Sequence, residues 1–193
     1  MEEKTLIENG NVIDGTGSEI KKESILIKKS NILATGKEAD ELGSSNDVRR
    51  IDASGKTVMP GLIDSHCHIT FDEPASNDEL FFHRREGLAA IVAAWNVRKV
   101  LLAGVTGFLD ADSLYETGID LRDAINGGYV EGPRMSTGGN ALLTSVGGTA
   151  GRLLPDDGLR GYAKVVHNND EISKEVRKQI KHGVDWIKIH VTG

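Results

Sequence analysis

The chain has 193 residues, 38% hydrophobic and 27% charged, with one cysteine and a formal net charge of -6. That balance predicts a soluble globular protein, and mild acidity without a basic stripe argues against nucleic-acid binding. A lone Cys67 excludes an intrachain disulfide and fits a reducing compartment. The opening Met-Glu-Glu-Lys lacks the basic start and apolar core of a signal peptide, and no run approaches the roughly 18 apolar residues of a membrane span, so a cytoplasmic protein is expected.

Residues 1–58 read as β structure. Residues 5–8 form a strand candidate, Asn9-Gly10 a turn, and residues 11–13 a second strand that Asp14-Gly15-Thr16-Gly17 breaks. Residues 24–28 and 32–35 suggest a hairpin around Lys29-Ser30-Asn31, and residues 48–51 and 57–58 flank Asp52-Ala53-Ser54-Gly55. Short apolar runs with turn signals at this spacing predict a small sheet or sandwich.

The pattern changes at Pro60-Gly61, where strands begin to alternate with helices. Residues 62–69 are an apolar run holding two histidines. Residues 78–103 have helical periodicity, with Leu80, Leu88, Ile91, Val92, Trp95 and Val100 as the expected apolar stripe and Gly104 as the cap. Residues 105–109 predict a strand, residues 121–125 sit in a helix ended by Gly127-Gly128, and residues 134–136 suggest a third strand. Residues 140–159 read as a long loop. Asn169 or Asp170 is expected to cap a helix to His182, with Ile172, Val176 and Ile180 four apart, and residues 185–192 form the last strand. Alternating βαβα units favour an α/β fold with a parallel sheet or (β/α) barrel.

The most specific local signal is Pro60-Gly61-Leu62-Ile63-Asp64-Ser65-His66-Cys67-His68. On a strand, side chains two apart share a face, so His66 and His68 project together with Asp64 behind them. On a helix they would diverge by about 200°. Two such imidazoles are either a metal clamp or a pair of core histidines with satisfied hydrogen bonds. In the closing run, Lys188, His190 and Thr192 share one face and Ile187, Ile189 and Val191 the other. A lysine in a buried strand must be neutral or paired. It is either an internal ion-pair partner or, as a neutral amine reacting with carbon dioxide, a carbamate ligand. His190 shares its face and is a candidate substrate contact. Asp110 and Asp112 share a face at a strand end and either line the mouth or serve in salt bridges or caps. Cys67 should point away from both histidines, and His83, His167 and His182 read as surface or capping residues.

The runs 5–10, 12–15, 51–56 and 60–68 resemble the N-terminal part of amidohydrolase superfamily members. Residues 121–125 with Gly132-Pro133-Arg134 look like the family's next recurring block, and residues 175–193 resemble the segment leading to its metal-bridging lysine. The likeness is strongest to the Xaa-Pro dipeptidase and imidazolonepropionase-like subgroup. It implies a β-sandwich (residues 1–58) followed by the first half of a (β/α)8 barrel (residues 59–193), about four strands of a TIM barrel. It also implies one or two divalent metals, zinc above all, held by His66, His68 and Lys188, the last matching the lysine that is carboxylated in binuclear members. A metal-bound hydroxide would then hydrolyse an amide, peptide or cyclic C–N bond of a small-molecule or peptide substrate. The family's remaining two histidines and its general-base aspartate fall beyond residue 193, so no catalytic base is expected within the chain. Residues 59–193 also fall short of the roughly 250 of a typical barrel. The expectation is therefore a fragment inactive alone, which seeks a missing C-terminal half or a homo-oligomer to cover its edges. Alternatives are a non-catalytic binding or assembly module of the same fold, or a mononuclear deacetylase or deaminase in which Lys188 is structural. Two departures from the subgroup stand out: Phe108-Leu109-Asp110-Ala111-Asp112 where an Arg-Asp pair is common, and Gly147-Gly148-Thr149 where Gly-Gly-His is common.

Overall fold

The computed structural model describes residues 4–144 and 153–191. The chain divides into two compact units, residues 1–60 and 61–193. The resulting class is α/β with parallel sheets in the second unit.

The first unit contains β1 (Lys4–Val12), β2 (Lys21–Lys28), β3 (Asn31–Thr35), α1 (Gly36–Leu42), β4 (Arg49–Asp52) and β5 (Thr57–Val58). They form one five-stranded sheet in the order β3-β2-β1-β4, with β5 also on β1. The β2–β3 hairpin forms as expected, turning at Lys29 with φ 54. Asn9-Gly10 does not turn the chain. It is a bulge inside a continuous β1, where the register against β2 shifts between Ile7 and Gly10 and Asn9 takes φ 64. A glycine is required there because a Cβ on Gly10 would lie 2.6 Å from Val58 Cγ2. The core is a cross-strand row, Leu6 opposite Leu26 and Leu26 opposite Ala34, joined by Ala39 of α1 and by Val48. The sequence reading missed α1 because Gly-Lys-Glu-Ala-Asp-Glu-Leu offers only Ala39 as a buried residue.

The second unit begins with β6 (Leu62–Cys67), followed by α2 (Glu86–Leu102), β7 (Val105–Asp110), α3 (Thr117–Asn126) and β8 (Arg134–Thr137). It continues with β9 (Leu142–Leu143), β10 (Lys164–Val165), α4 (Asn169–His182) and β11 (Ile189–His190). Strands β6, β7 and β8 pair in parallel in that order. β9 lies a few residues beyond β8 and pairs in parallel with β11 and with β10. The amide of Asp185 also donates to the Thr137 carbonyl at 2.9 Å and that of Leu142 to the Lys188 carbonyl at 2.8 Å. The run through β8 and β9 therefore bridges β7 to β11, giving four parallel tracks in chain order. Among the described residues this arc does not close into a barrel, and no helix is long and apolar enough to cross a membrane.

Three helical expectations are corrected. Residues 78–103 are not one helix: a π-helical turn, Asp78–His83, precedes a break where Arg84 has ψ 115 and Arg85 ψ 151. The break is held by the buried Arg84 side chain, which donates to the carbonyls of Thr70 at 3.1 Å and Phe71 at 2.8 Å. On α2 the core face is Ala89, Ala93, Asn96 and Val97, while Ile91 and Trp95 are exposed. The small alanines let the helix approach the sheet closely, which no large side chain on that face would permit. On α4 the buried positions are Glu175 and Gln179, and Ile172 and Ile180 face outward. Gln179 donates from Nε2 to the Asn140 carbonyl at 2.9 Å, so this face meets backbone and needs a polar partner.

The α4 cap is Asn168, one residue earlier than expected. Its Oδ1 accepts from the Glu171 amide at 3.0 Å, and Gly183 ends the helix with φ 91. The core beneath the sheet joins Ile69, Ala93, Val97, Phe108 and Leu121. Residues 145–152 and 192–193, which include the Gly147-Gly148-Thr149 stretch and Thr192, lie outside the described residues.

A Cβ on Gly118 would lie 2.4 Å from Thr137 Oγ1 and 2.6 Å from Asp110 Oδ2, both fully buried. Gly118→Ala should therefore cost about 2–3 kcal/mol, the upper part of the overpacking range. Asn168→Ala should cost about 1 kcal/mol. Denaturant unfolding of both variants checks the order, and an equal or reversed ranking would contradict this packing.

Candidate metal centre

The candidate site is built where β6, β7 and β11 end, because parallel strands in chain order bring their C-terminal ends to one edge. The chain leaves β6 through His66, Cys67 and His68. The register against β7 shifts between Asp64 and Cys67. Asp64 Oδ1 accepts from the His66 amide at 3.0 Å, within this irregular part of the strand. Cys67 packs into the core with Ile69 and Phe108, away from the histidines, and burial pushes its thiol up to about 11. The two histidines face each other, with Nε2 atoms 3.2 Å apart.

His68 is held from two further directions. Its ring stacks on Phe71, with centroids 4.8 Å apart and planes 11° from parallel. Its Nδ1 rests on Oδ1 of Asp112, a residue with no exposed surface. The other oxygen, Asp112 Oδ2, lies 3.3 Å from His190 Nε2. These nitrogen and oxygen atoms are buried and have no other polar partner among the described residues. Burial raises the Asp112 carboxyl, but the imidazoles of His190 and His68 override it and hold the group at about 2. Contact with Asp112 raises His68, against the opposing effect of burial. His66 is exposed and moves the other way, lowered first by the ammonium of Lys188 and then by burial and His68. A lowered imidazole keeps its lone pair free at neutral pH.

The residues singled out in the sequence therefore fall in distinct places. His66, His68 and Lys188 are gathered at one edge, and Lys188 is half-buried, lining an open cleft with His66, Leu109, Ala111 and Trp186. His190 is turned onto Asp112 and its Nε2 is buried there. Asp112 is in the ion pair that was one of its two readings. Asp110 is also fully buried, accepting from the Ile69 amide at 3.1 Å and from Thr137 Oγ1 at 2.9 Å, and desolvation pushes it up to about 7. His83 and His167 are exposed, and His182 pairs with Glu116. The sequence reading missed Phe71, whose four-residue distance from β6 gives no periodic signal. A separate groove lined by Glu86, Glu116, Arg160 and Lys178 carries charges of both signs and no imidazole.

Among the described residues no three of His, Cys, Asp and Glu gather into a metal cage. The pair His66 and His68 nevertheless fits part of one. Zn–N bonds of about 2.0–2.1 Å in tetrahedral geometry put ligand nitrogens roughly 3.3 Å apart. The observed 3.2 Å between the Nε2 atoms matches that edge.

Residues 57–193 match the family model described as "Amidohydrolase family". An ochratoxinase of Aspergillus niger is 28% identical over 214 residues, covering 98% of this chain and 42% of that protein. The solved structure of a prolidase complexed with N-methylphosphonate-L-proline is 27% identical with a TM-score of 0.79, over 96% of this chain and 46% of that one. A Xaa-Pro dipeptidase structure with bound methionine in the active site is 30% identical, with a TM-score of 0.76 over 96% of this chain and 46% of that one. The chain thus spans less than half the length of these relatives.

The polar roles of Asp110 can be separated. A threonine hydroxyl can donate or accept, so an amide at position 110 can keep both contacts. Asp110→Asn should change stability by less than about 1 kcal/mol, whereas Asp110→Ala should cost about 2–3 kcal/mol by leaving the Ile69 amide unpaired. Equal losses in denaturant unfolding would contradict this geometry.

Proposed function

Because this chain belongs to the amidohydrolase family, we propose that it supplies part of the metal centre of a hydrolase acting on amide or related C–N bonds. The ligands are His66 and His68, with Lys188 beside them as a third group. The observation that carries the reading is the 3.2 Å approach of two Nε2 atoms, one of them on a ring fixed from behind by Asp112 and Phe71. A divalent metal held there, zinc by the nitrogen donor set, would polarise a carbonyl and acidify water.

The remaining work falls to this chain's own groups. In the metal-free chain the Lys188 ammonium lowers His66 by charge repulsion, which favours the neutral, ligating imidazole. Lys188 lines the same cleft as His66; deprotonated and carboxylated by carbon dioxide it would instead become an anionic oxygen donor, and its repulsion of His66 would be lost. Asp110, buried and hydrogen-bonded to backbone, holds the strand ends and faces no substrate space. The ochratoxinase, prolidase and Xaa-Pro dipeptidase likenesses support an amide or peptide substrate. Two imidazoles and one amine, without a general base among the described residues of the cleft, leave the centre incomplete, and the chain alone is proposed to be inactive.

The 193-residue chain should bind zinc or cobalt, and His66→Ala and His68→Ala should each weaken binding at least about tenfold, the lower bound for losing even an outer partner. Calorimetric titration reads this. Hydrolysis of Xaa-Pro dipeptides and N-acyl amino acids by this chain should remain at background. Retention of affinity in both alanine variants would remove the metal assignment, and strong turnover would remove the incompleteness.

A further inference from the structure

We infer that Asp112 is a positioning residue that sets which nitrogen of His68 carries the proton and ties that imidazole to the strand bearing Lys188. The inference rests on the metal reading for its purpose, and on four observed atoms for its geometry. A carboxylate only accepts hydrogen bonds. With Oδ1 against His68 Nδ1, the proton of a neutral His68 belongs on Nδ1 and the lone pair on Nε2. That Nε2 is the atom aimed at His66. The stack on Phe71 fixes the ring plane, so ring and tautomer are set by independent contacts. The second oxygen, 3.3 Å from His190 Nε2, reaches the β11 strand two residues after Lys188. One side chain just beyond the end of β7 thus links the residue following β6 to β11.

A purely structural role is a poor explanation of this arrangement. A fully buried carboxylate is costly, and packed apolar residues of similar volume commonly stabilise at least as well. Its two oxygens meet two imidazoles and nothing else polar among the described residues. A carboxylate behind a ligating imidazole raises its basicity and orients it, and loss of such a partner typically weakens metal binding 10–100-fold.

The test uses the metal-free 193-residue chain labelled with nitrogen-15 at histidine. Recorded at a pH high enough to deprotonate His68, whose imidazole Asp112 raises, long-range proton–nitrogen spectra should show it as the Nδ1–H tautomer, and Asp112→Ala should abolish that preference. Zinc affinity should fall 10–100-fold in Asp112→Ala and less in Asp112→Asn, whose amide oxygen can still accept from Nδ1–H. The cobalt visible spectrum of the alanine variant should change shape as well as amplitude. An Nε2–H tautomer in the wild-type chain would overturn the inference. So would an alanine variant whose tautomer is unchanged while its affinity falls. Should Asp112→Ala not fold, the wild-type tautomer and the asparagine variant still decide. Absence of zinc binding by the wild-type chain would sink the metal reading, while the tautomer would still settle the role of Asp112.

Discussion

A carboxylate taken out of water must find positive or proton-donating partners or lose its charge. Asp112 is fully buried and finds two, the imidazoles of His68 and His190, which come from opposite ends of the parallel arc. That requirement constrains the unit as a whole. It needs β7 to lie between β6 and the β8–β9 run, it needs β11 to join that run, and it needs all of them to end on the same edge. Parallel pairing in chain order meets all three conditions, and the helices between the strands follow from it.

The neighbouring carboxylate answers the same problem differently. Asp110 meets a backbone amide and a hydroxyl and no cation, so burial drives it up to about 7 instead of down. Two aspartates two residues apart are thus shifted in opposite directions, Asp110 raised chiefly by burial and Asp112 lowered by its two imidazoles. Asp110 binds backbone together where Gly118 allows α3 to come close, and Asp112 addresses the imidazoles. The division separates a group that holds the strand ends from one that faces the candidate centre.

Much of this was readable in advance. His66 and His68 could be placed together because a strand repeats every two residues, and family resemblance marked Lys188 as their companion. The change of pattern at Pro60-Gly61 coincides with the end of the first compact unit. What could not be read depends on partners distant in sequence. Nothing local to Asp112 or His190 announces that they meet, since 78 positions of chain separate them (190 - 112). The break at Arg84 is set by carbonyls of Thr70 and Phe71, not by helix propensity, so a periodic stripe ran straight through it. On α4 the isoleucine spacing pointed to an apolar core face, yet the helix meets a loop carbonyl and buries Gln179 instead. In each case tertiary hydrogen bonding overrode a local pattern.

The central claim is that His66 and His68 share one cation through their Nε2 atoms. The most direct test is a zinc titration of the nitrogen-15 histidine-labelled chain, followed by the ring-nitrogen resonances. The account predicts that both Nε2 signals move together and saturate at the same metal ratio, while the Nδ1 proton of His68 persists. Movement of only one of them, or of neither while His83, His167 or His182 responds, would contradict it.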